Sequence, residues 1–269
     1  MGIAEAFAIF VAGTAAGTVN AVVGSGSLIT FPTLLAFGIP PVVANVSNNV
    51  GLVPGNFSGA WGYRRELAGQ RSRLLWLGMF SVLGAMGGAA ALLALPAGAF
   101  KLIVPVLILA SCVLVLVQPR LSARIAARRK RAQGSAANSS AAAQGRTTDH
   151  ADRGGPVLAG GVFGAAIYGG YFGAAQGVLV IGLLGTFLDE TMQRINGAKN
   201  VLVGTVNGTA AIVYIIFAHV SWLVVLLIAV GSTIGGLLGA RIGRRLPPLA
   251  LRIFIVVIGL ISAVRLIFF

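Results

Sequence analysis

The sequence predicts an all-α polytopic membrane protein made of two inverted-topology repeats, with about five membrane elements in each. Three observations carry that prediction. The chain is 57% hydrophobic and only 10% charged, with a mean hydropathy of +0.92, whereas soluble domains carry about 25% charged residues. Apolar runs long enough to cross a bilayer recur along the whole chain. The two halves also carry matching polar residues in the same order, with loop charges of opposite sense.

Run length sets ten apolar elements, near 3–22, 26–38, 42–61, 74–95 and 99–117, then 156–172, 176–188, 193–218, 222–241 and 248–268. No basic segment precedes the first, whose only early charge is Glu5, so it reads as a membrane segment rather than a secretory signal. The second and seventh are too short for a full crossing, which places broken or short helices near 23–38 and 173–188. The 38 glycines suit close helix packing and such breaks. Between the halves lies RLSARIAARRKR, followed by AQGSAANSSAAAQG. That composition buries no core, so 118–155 reads as a mobile, basic, low-complexity linker between a first repeat (1–117) and a second (156–269).

A shift of 151 positions brings Gly26 onto Gly177, Asn45 onto Asn196, Asn49 onto Asn200 and Asn56 onto Asn207 without a gap. Asn is scarce in membrane helices, so three in register outweigh any glycine match. Loop charge gives the orientation. GYRRELAGQRSR (62–73) carries four arginines and belongs on the cytoplasmic side, whereas its counterpart around AHVSW (218–222) carries none. ALPAGAFK has one Lys against three Arg in ARIGRR (240–245), so the sense alternates between the halves, as an odd number of elements per repeat requires. Both termini then fall outside the cytoplasm and the linker inside it.

The polar residues form a pattern. At 100° per residue, Asn45, Asn49 and Asn56 lie within about 40° of one another on a helix, with Asn48 about 60° to one side. Asn196, Asn200 and Asn207 repeat the stripe, with Lys199 at the position of Asn48. A single Asn of this kind is as well explained by gluing helices together. Two matching stripes, one carrying a lysine, point to a polar site shared between the repeats. A Lys at a helix centre costs roughly 2.5–3.5 kcal/mol on insertion scales and usually serves a purpose; the competing reading is snorkelling toward the polar DETMQR segment. In GSGS, Gly24 and Gly26 permit a break, and Ser25 or Ser27 is placed to cap the short helix that follows. GAAQGV (173–178) stands at the equivalent point, with Gln176 opposite Ser25 and Gly177 opposite Gly26. A helix N-terminus inside a membrane presents free N–H groups and the positive end of a dipole, so the paired breaks read as an anion site.

Several classes drop out. One cysteine, Cys112, leaves no internal disulfide and no Cys-rich metal site. No Walker motif, HExxH or defensible Ser–His–Asp set is present, so neither ATP hydrolysis nor enzyme chemistry is expected, and no cofactor or metal. The net charge of +14 sits mainly in short loops, which fits the positive-inside rule and contact with lipid head groups, not nucleic acid.

GTVNAVVGSGSLITFPTLLAFGIPPVVANVSNNVGLVPGNFSGAWGY resembles the first repeat of the TauE/SafE family of sulfite and organosulfonate exporters, and GGYFGAAQGVLVIGLLGTFLDETMQRINGAKNVLVGTVNGTAAIVYI its second. The resemblance implies a bacterial inner-membrane permease for small sulfur-containing anions such as sulfite, thiosulfate, sulfoacetate and other sulfonates, working by secondary transport. Its motif covers the two breaks and the two Asn stripes; Lys199 rests on position alone. The expected activity is export by alternating access between the repeats. The alternatives are anion uptake coupled to a proton or sodium ion, and a membrane accessory subunit with no flux. Either a monomer or a homo-oligomer is compatible with the sequence.

Overall fold

The structure, a computed structural model, describes residues 1–138 and 154–242, together with 253, 256–261, 263 and 264. Among the described residues it holds nine long or short α-helices and no strand: α1 (Ile3–Val22), α2 (Ser27–Ala36), α3 (Pro41–Gly62), α4 (Arg71–Ala94), α5 (Ala97–Asn138), α6 (Gly155–Tyr171), α7 (Gln176–Phe187), α8 (Met192–Phe217) and α9 (Trp222–Ile242). Most of the tenth predicted element, and linker residues 139–153, lie outside the described residues.

The helix starts follow local chemistry. Pro41 opens α3, where the missing N–H costs nothing. The Thr191 hydroxyl caps α8 by accepting from the Arg194 amide at 3.4 Å. Five of the described helices are long and apolar enough to cross a membrane by length and composition, and α2 and α7 are short apolar helices. One boundary departs from expectation. The basic segment read as linker from 118 continues α5 as helix to Asn138. Its Ala, Arg, Lys and Gln are strong helix formers, so it needs no core to propagate a helix already begun in the apolar part.

The helices assemble in two groups. In the first, α1 and α3 both pack along α9; in the second, α6 and α8 both pack along α4; α3 and α8 form the seam between them. Exchanging α1 with α6, α2 with α7, α3 with α8 and α4 with α9 maps these pairings onto one another. Directions follow from facing residues. Gly235 and Gly239 of α9 meet Thr14 and Thr18 of α1, and Gly51 and Gly55 of α3 meet Ile228 and Ser232 of α9, so these three helices run the same way. Gly84 and Gly88 of α4 meet Phe163 and Ile167 of α6, so those two also run together. Leu77 buries with Ile195 and Ala198, and Ala85 with Val206, which aligns α8 with α4. Across the seam, Val53 faces Gly208 and Gly59 faces Asn200, so α3 and α8 are antiparallel. Corresponding helices of the two halves therefore run in opposite directions.

Glycine sets how near these helices come. A Cβ on Gly88 would lie 2.0 Å from the Ile167 carbonyl oxygen, while one on Gly87 would meet nothing within 4 Å. Large apolar side chains such as Leu75, Leu83, Leu102 and Ile212 point outward, as a lipid-facing surface requires. At one end of the bundle Trp61 lies under Arg64, with the guanidinium 5.3 Å from the ring centroid, a pairing suited to the head-group layer.

Two loops close that same end. Arg73 donates to Glu190 at 2.8 Å, and the Arg194 Nε donates to the other oxygen of the same carboxylate at 2.5 Å. Arg194 also donates to the Ala68 carbonyl at 3.1 Å. Burial alone pushes the Glu190 carboxyl up, but the bonds from Arg194 and Arg73 outweigh it and hold the group below its ordinary range.

Two predictions follow from this packing. Gly88→Ala is expected to lower the thermal unfolding midpoint of the detergent-solubilised protein sharply, while its sequence neighbour Gly87→Ala leaves it nearly unchanged. Because the folded pKa of Glu190 is depressed, its stabilisation is present at neutral pH and fades as pH falls through that lowered value. Unfolding midpoints measured against pH should show this acid loss in the wild type and a shallower one in Glu190→Gln.

Candidate functional site

Both short helices follow a break in the chain. Between α1 and α2, Gly24 takes a left-handed φ of 86°. Between α6 and α7, Gly173 (φ 77°) and Ala175 (φ 56°) do the same, and Ala175 stands 151 positions beyond Gly24. The two breaks touch. The Gly177 amide donates to the Gly24 carbonyl at 3.0 Å. A Cβ on Gly24 would lie 2.5 Å from the Gly177 Cα, so no larger residue fits.

Ending α1 inside the bundle exposes its last carbonyls. Lys199, fully buried, donates to the carbonyls of Asn20 at 2.6 Å and Ala21 at 3.0 Å. Asn200 also reaches Ala21, at 3.4 Å, and Gln118 reaches Val23 at 3.5 Å. The ammonium thus sits at the negative end of the α1 dipole. At the end of α6, Asn45 donates to the Tyr171 carbonyl at 3.0 Å, and the Tyr214 hydroxyl donates to Gly170. The Ala174 carbonyl accepts from Ser111 at 3.1 Å and from Tyr168 at 2.5 Å. Asn45 of α3 and Lys199 of α8 thus each cap the broken helix of the other half, and Tyr214 adds a bond within its own.

The two predicted stripes are therefore divided. Asn56, Lys199 and Asn200 gather at the end of α1; Asn45 serves the end of α6; Asn48 accepts a hydrogen bond from Thr30 of α2. Asn207 is buried but belongs to neither cap. Lys199 reaches no membrane surface, so snorkelling is excluded. The expected serine cap of α2 is not made: Gly26 is the N-cap residue, with no side-chain cap, and Ser27 is only partly buried. The Gly26 amide instead reaches the Asn20 Oδ1 at 3.4 Å, while the Asn20 Nδ2 donates to the Asn56 Oδ1. Asn20 was absent from the sequence-derived set; its signal was a lone Asn in GTVNAVV, one turn before the break.

Several buried polar atoms near these breaks have no partner among the described residues. They are the Ser25 and Tyr171 hydroxyls, the Asn56 Nδ2, the Gln118 Oε1, both amide atoms of Gln176, the Asn49 Oδ1 and the Asn196 Oδ1. Each such atom costs roughly 1–3 kcal/mol, so native structures keep few of them. An apolar groove of about 440 Å³ beside α1 and α2 is a poor alternative site. Its two threonine hydroxyls, of Thr14 and Thr18, are already bonded to Phe10 and Thr14 carbonyls. Among the described residues no cluster of His, Cys, Asp and Glu is able to hold a metal ion.

Lys199→Ala leaves the Asn20 carbonyl bare and the Ala21 carbonyl with only the 3.4 Å bond from Asn200. It is expected to destabilise the protein by roughly 1–3 kcal/mol for the carbonyl left bare, read as a lowered unfolding midpoint in detergent.

The family described as sulfite exporter TauE/SafE matches residues 9–266. Similar proteins include the probable membrane transporter protein YfcA of Escherichia coli K12, 23% identical over 97% of this chain and 88% of that protein. A probable membrane transporter protein of Haemophilus influenzae is 22% identical over 97% of this chain and 93% of its own. The probable membrane transporter protein ORF9 of a Sinorhizobium species is 29% identical over 42% of this chain and 43% of its own. No solved structure matches the chain. With residues 9–266 matched and five helices long and apolar enough to cross a bilayer, the chain belongs to the sulfite exporter TauE/SafE family and is an integral membrane transporter, not an enzyme.

Proposed function

We propose that the protein exports small sulfur-containing anions such as sulfite or organosulfonates across the bacterial inner membrane, by alternating access at the crossing of its two helix breaks. The observation that carries this reading is the contact between Gly24 and Gly177, set among buried polar atoms that lack partners. An anion losing its hydration shell needs N–H and O–H groups in its place. The Ser25 hydroxyl and the amide groups of Asn56 and Gln176 are available for that.

Opposite running directions of corresponding helices support a rocking motion, because exchanging the two halves' conformations would turn a site open to one side into one open to the other. On this reading the arginine-rich loop 62–73 lies on the cytoplasmic side, and the termini lie on the other. An inside-negative potential drives an anion outward by about 2.3 kcal/mol per charge per 100 mV, so no ATP is needed. Lys199 holds the site's frame rather than binding the anion.

The test is flux in proteoliposomes containing the purified full-length chain, with sulfite, thiosulfate, sulfoacetate, sulfate and chloride under imposed potentials. Flux of a sulfur anion that follows the potential is the expected result. Flux that instead depends on an imposed proton or sodium gradient would replace export with coupled uptake. No flux of any anion from folded protein would overturn the transport assignment for this substrate class.

A further inference from the structure

The two breaks occupy equivalent positions, yet their chemistry differs. In the second, the first amides of α7 are already committed. Gln176 donates to Gly173 at 3.3 Å, Gly177 to Gly24 at 3.0 Å and Val178 to Ala175 at 3.0 Å. Its surroundings are aromatic: Phe172 meets Phe31 edge-on at 5.3 Å, and Tyr171 packs with Phe100 at 6.0 Å. The Gln176 side chain is wedged against Gly169, where even a Cβ would lie 2.2 Å from its Cδ. The backbone donors of that break are spent, although both Gln176 amide atoms and the Tyr171 hydroxyl lack partners among the described residues.

The first break keeps its backbone donors. The Ser25 and Ser27 amides take part in no hydrogen bond among the described residues, and the Gly26 amide has only the 3.4 Å contact with Asn20, at the limit of a hydrogen bond. Two buried donors beside it lack partners, the Ser25 hydroxyl (1% exposed) and the Asn56 Nδ2 (2% exposed). Asn20 links them, because its amide bonds Asn56 on one side and Gly26 on the other.

We infer that the transported oxyanion is held chiefly at the first break, by the Ser25 hydroxyl, the Asn56 amide and the first N–H groups of α2, and that Asn20 is the positioning residue whose side-chain carbonyl occupies the anion's place in its absence. The inference rests on the transport reading above. An incoming sulfite or sulfonate oxygen takes over the Gly26 amide, and Asn20 then keeps Asn56 oriented through its Nδ2. The second break supplies the rigid wall against which the ligand is held.

Sulfite KM and maximal flux, measured in proteoliposomes of the full-length chain beside unfolding midpoints, decide the matter. Ser25→Ala removes a hydroxyl that bonds nothing in the protein, so the midpoint should stay or rise. The sulfite KM should rise about tenfold, the worth of one charge-assisted hydrogen bond. Asn20→Asp fixes a carboxylate on the α2 amides and should raise KM by at least about tenfold. Tyr171→Phe, at the position equivalent to Asn20, should leave KM within about twofold. An unchanged KM in Ser25→Ala, or a Tyr171→Phe effect as large as that of Ser25→Ala, overturns the site while leaving the transporter intact. Absence of sulfur-anion flux in the wild type overturns the transport reading and this site with it. Should Asn20→Asp fail to fold, the Ser25→Ala and Tyr171→Phe pair still decides.

Discussion

A helix that ends buried within a helix bundle must find donors for its last carbonyls, because no water is there to supply them. Both α1 and α6 stop this way, and each is completed by the other half of the chain. Lys199 and Asn200 of α8 close α1; Asn45 of α3 closes α6. Within its own half, the second break also gains bonds from Tyr214 and Tyr168. The requirement fixes where α3 and α8 sit, and their antiparallel seam in turn fixes the contact between Gly24 and Gly177.

The same caps connect the two helix groups. The seam joins the α1, α3 and α9 group to the α4, α6 and α8 group, and each cap crosses it. Any rocking of one group against the other must carry these bonds along or break them. They are unequal. The cap on α1 is made by an ammonium, and hydrogen bonds from a charged donor are about twice as strong as neutral ones. The cap on α6 by Asn45 is neutral. On the transport reading the α1 end therefore travels with α8, and the looser α6 junction takes up more of the motion.

Much of this was legible in the sequence, for physical reasons that differ by residue. Element ends fell within a few residues because run length and breaks are local properties: 3–22 became Ile3–Val22, and 176–188 became Gln176–Phe187. The matching asparagines announced a shared polar seam. What they touch was not legible. The partners of Lys199 are backbone carbonyls about 180 residues away, and no side-chain pattern marks a carbonyl as a ligand. Asn20 was passed over because it stands alone in an apolar helix, where periodicity has nothing to repeat. The extension of α5 was missed because low apolar content was taken to mean coil, although helix propensity does not depend on burial.

Charge connects the cap to the site. Among the described residues no carboxylate pairs with Lys199. The α1 carbonyl end offers only about half an elementary charge of compensation, and an isolated buried charge is costly. While protonated, Lys199 therefore places net positive charge at the end of α1. The Asn20 carbonyl takes the ammonium, while the side chain of the same residue touches both Asn56 and the α2 amide. One residue thus stands between the unbalanced cation and the open donors. On the proposed site, an anion at the first break would lower the cost of burying a protonated Lys199 without contacting it, and Lys199 would raise the anion's affinity without being its ligand.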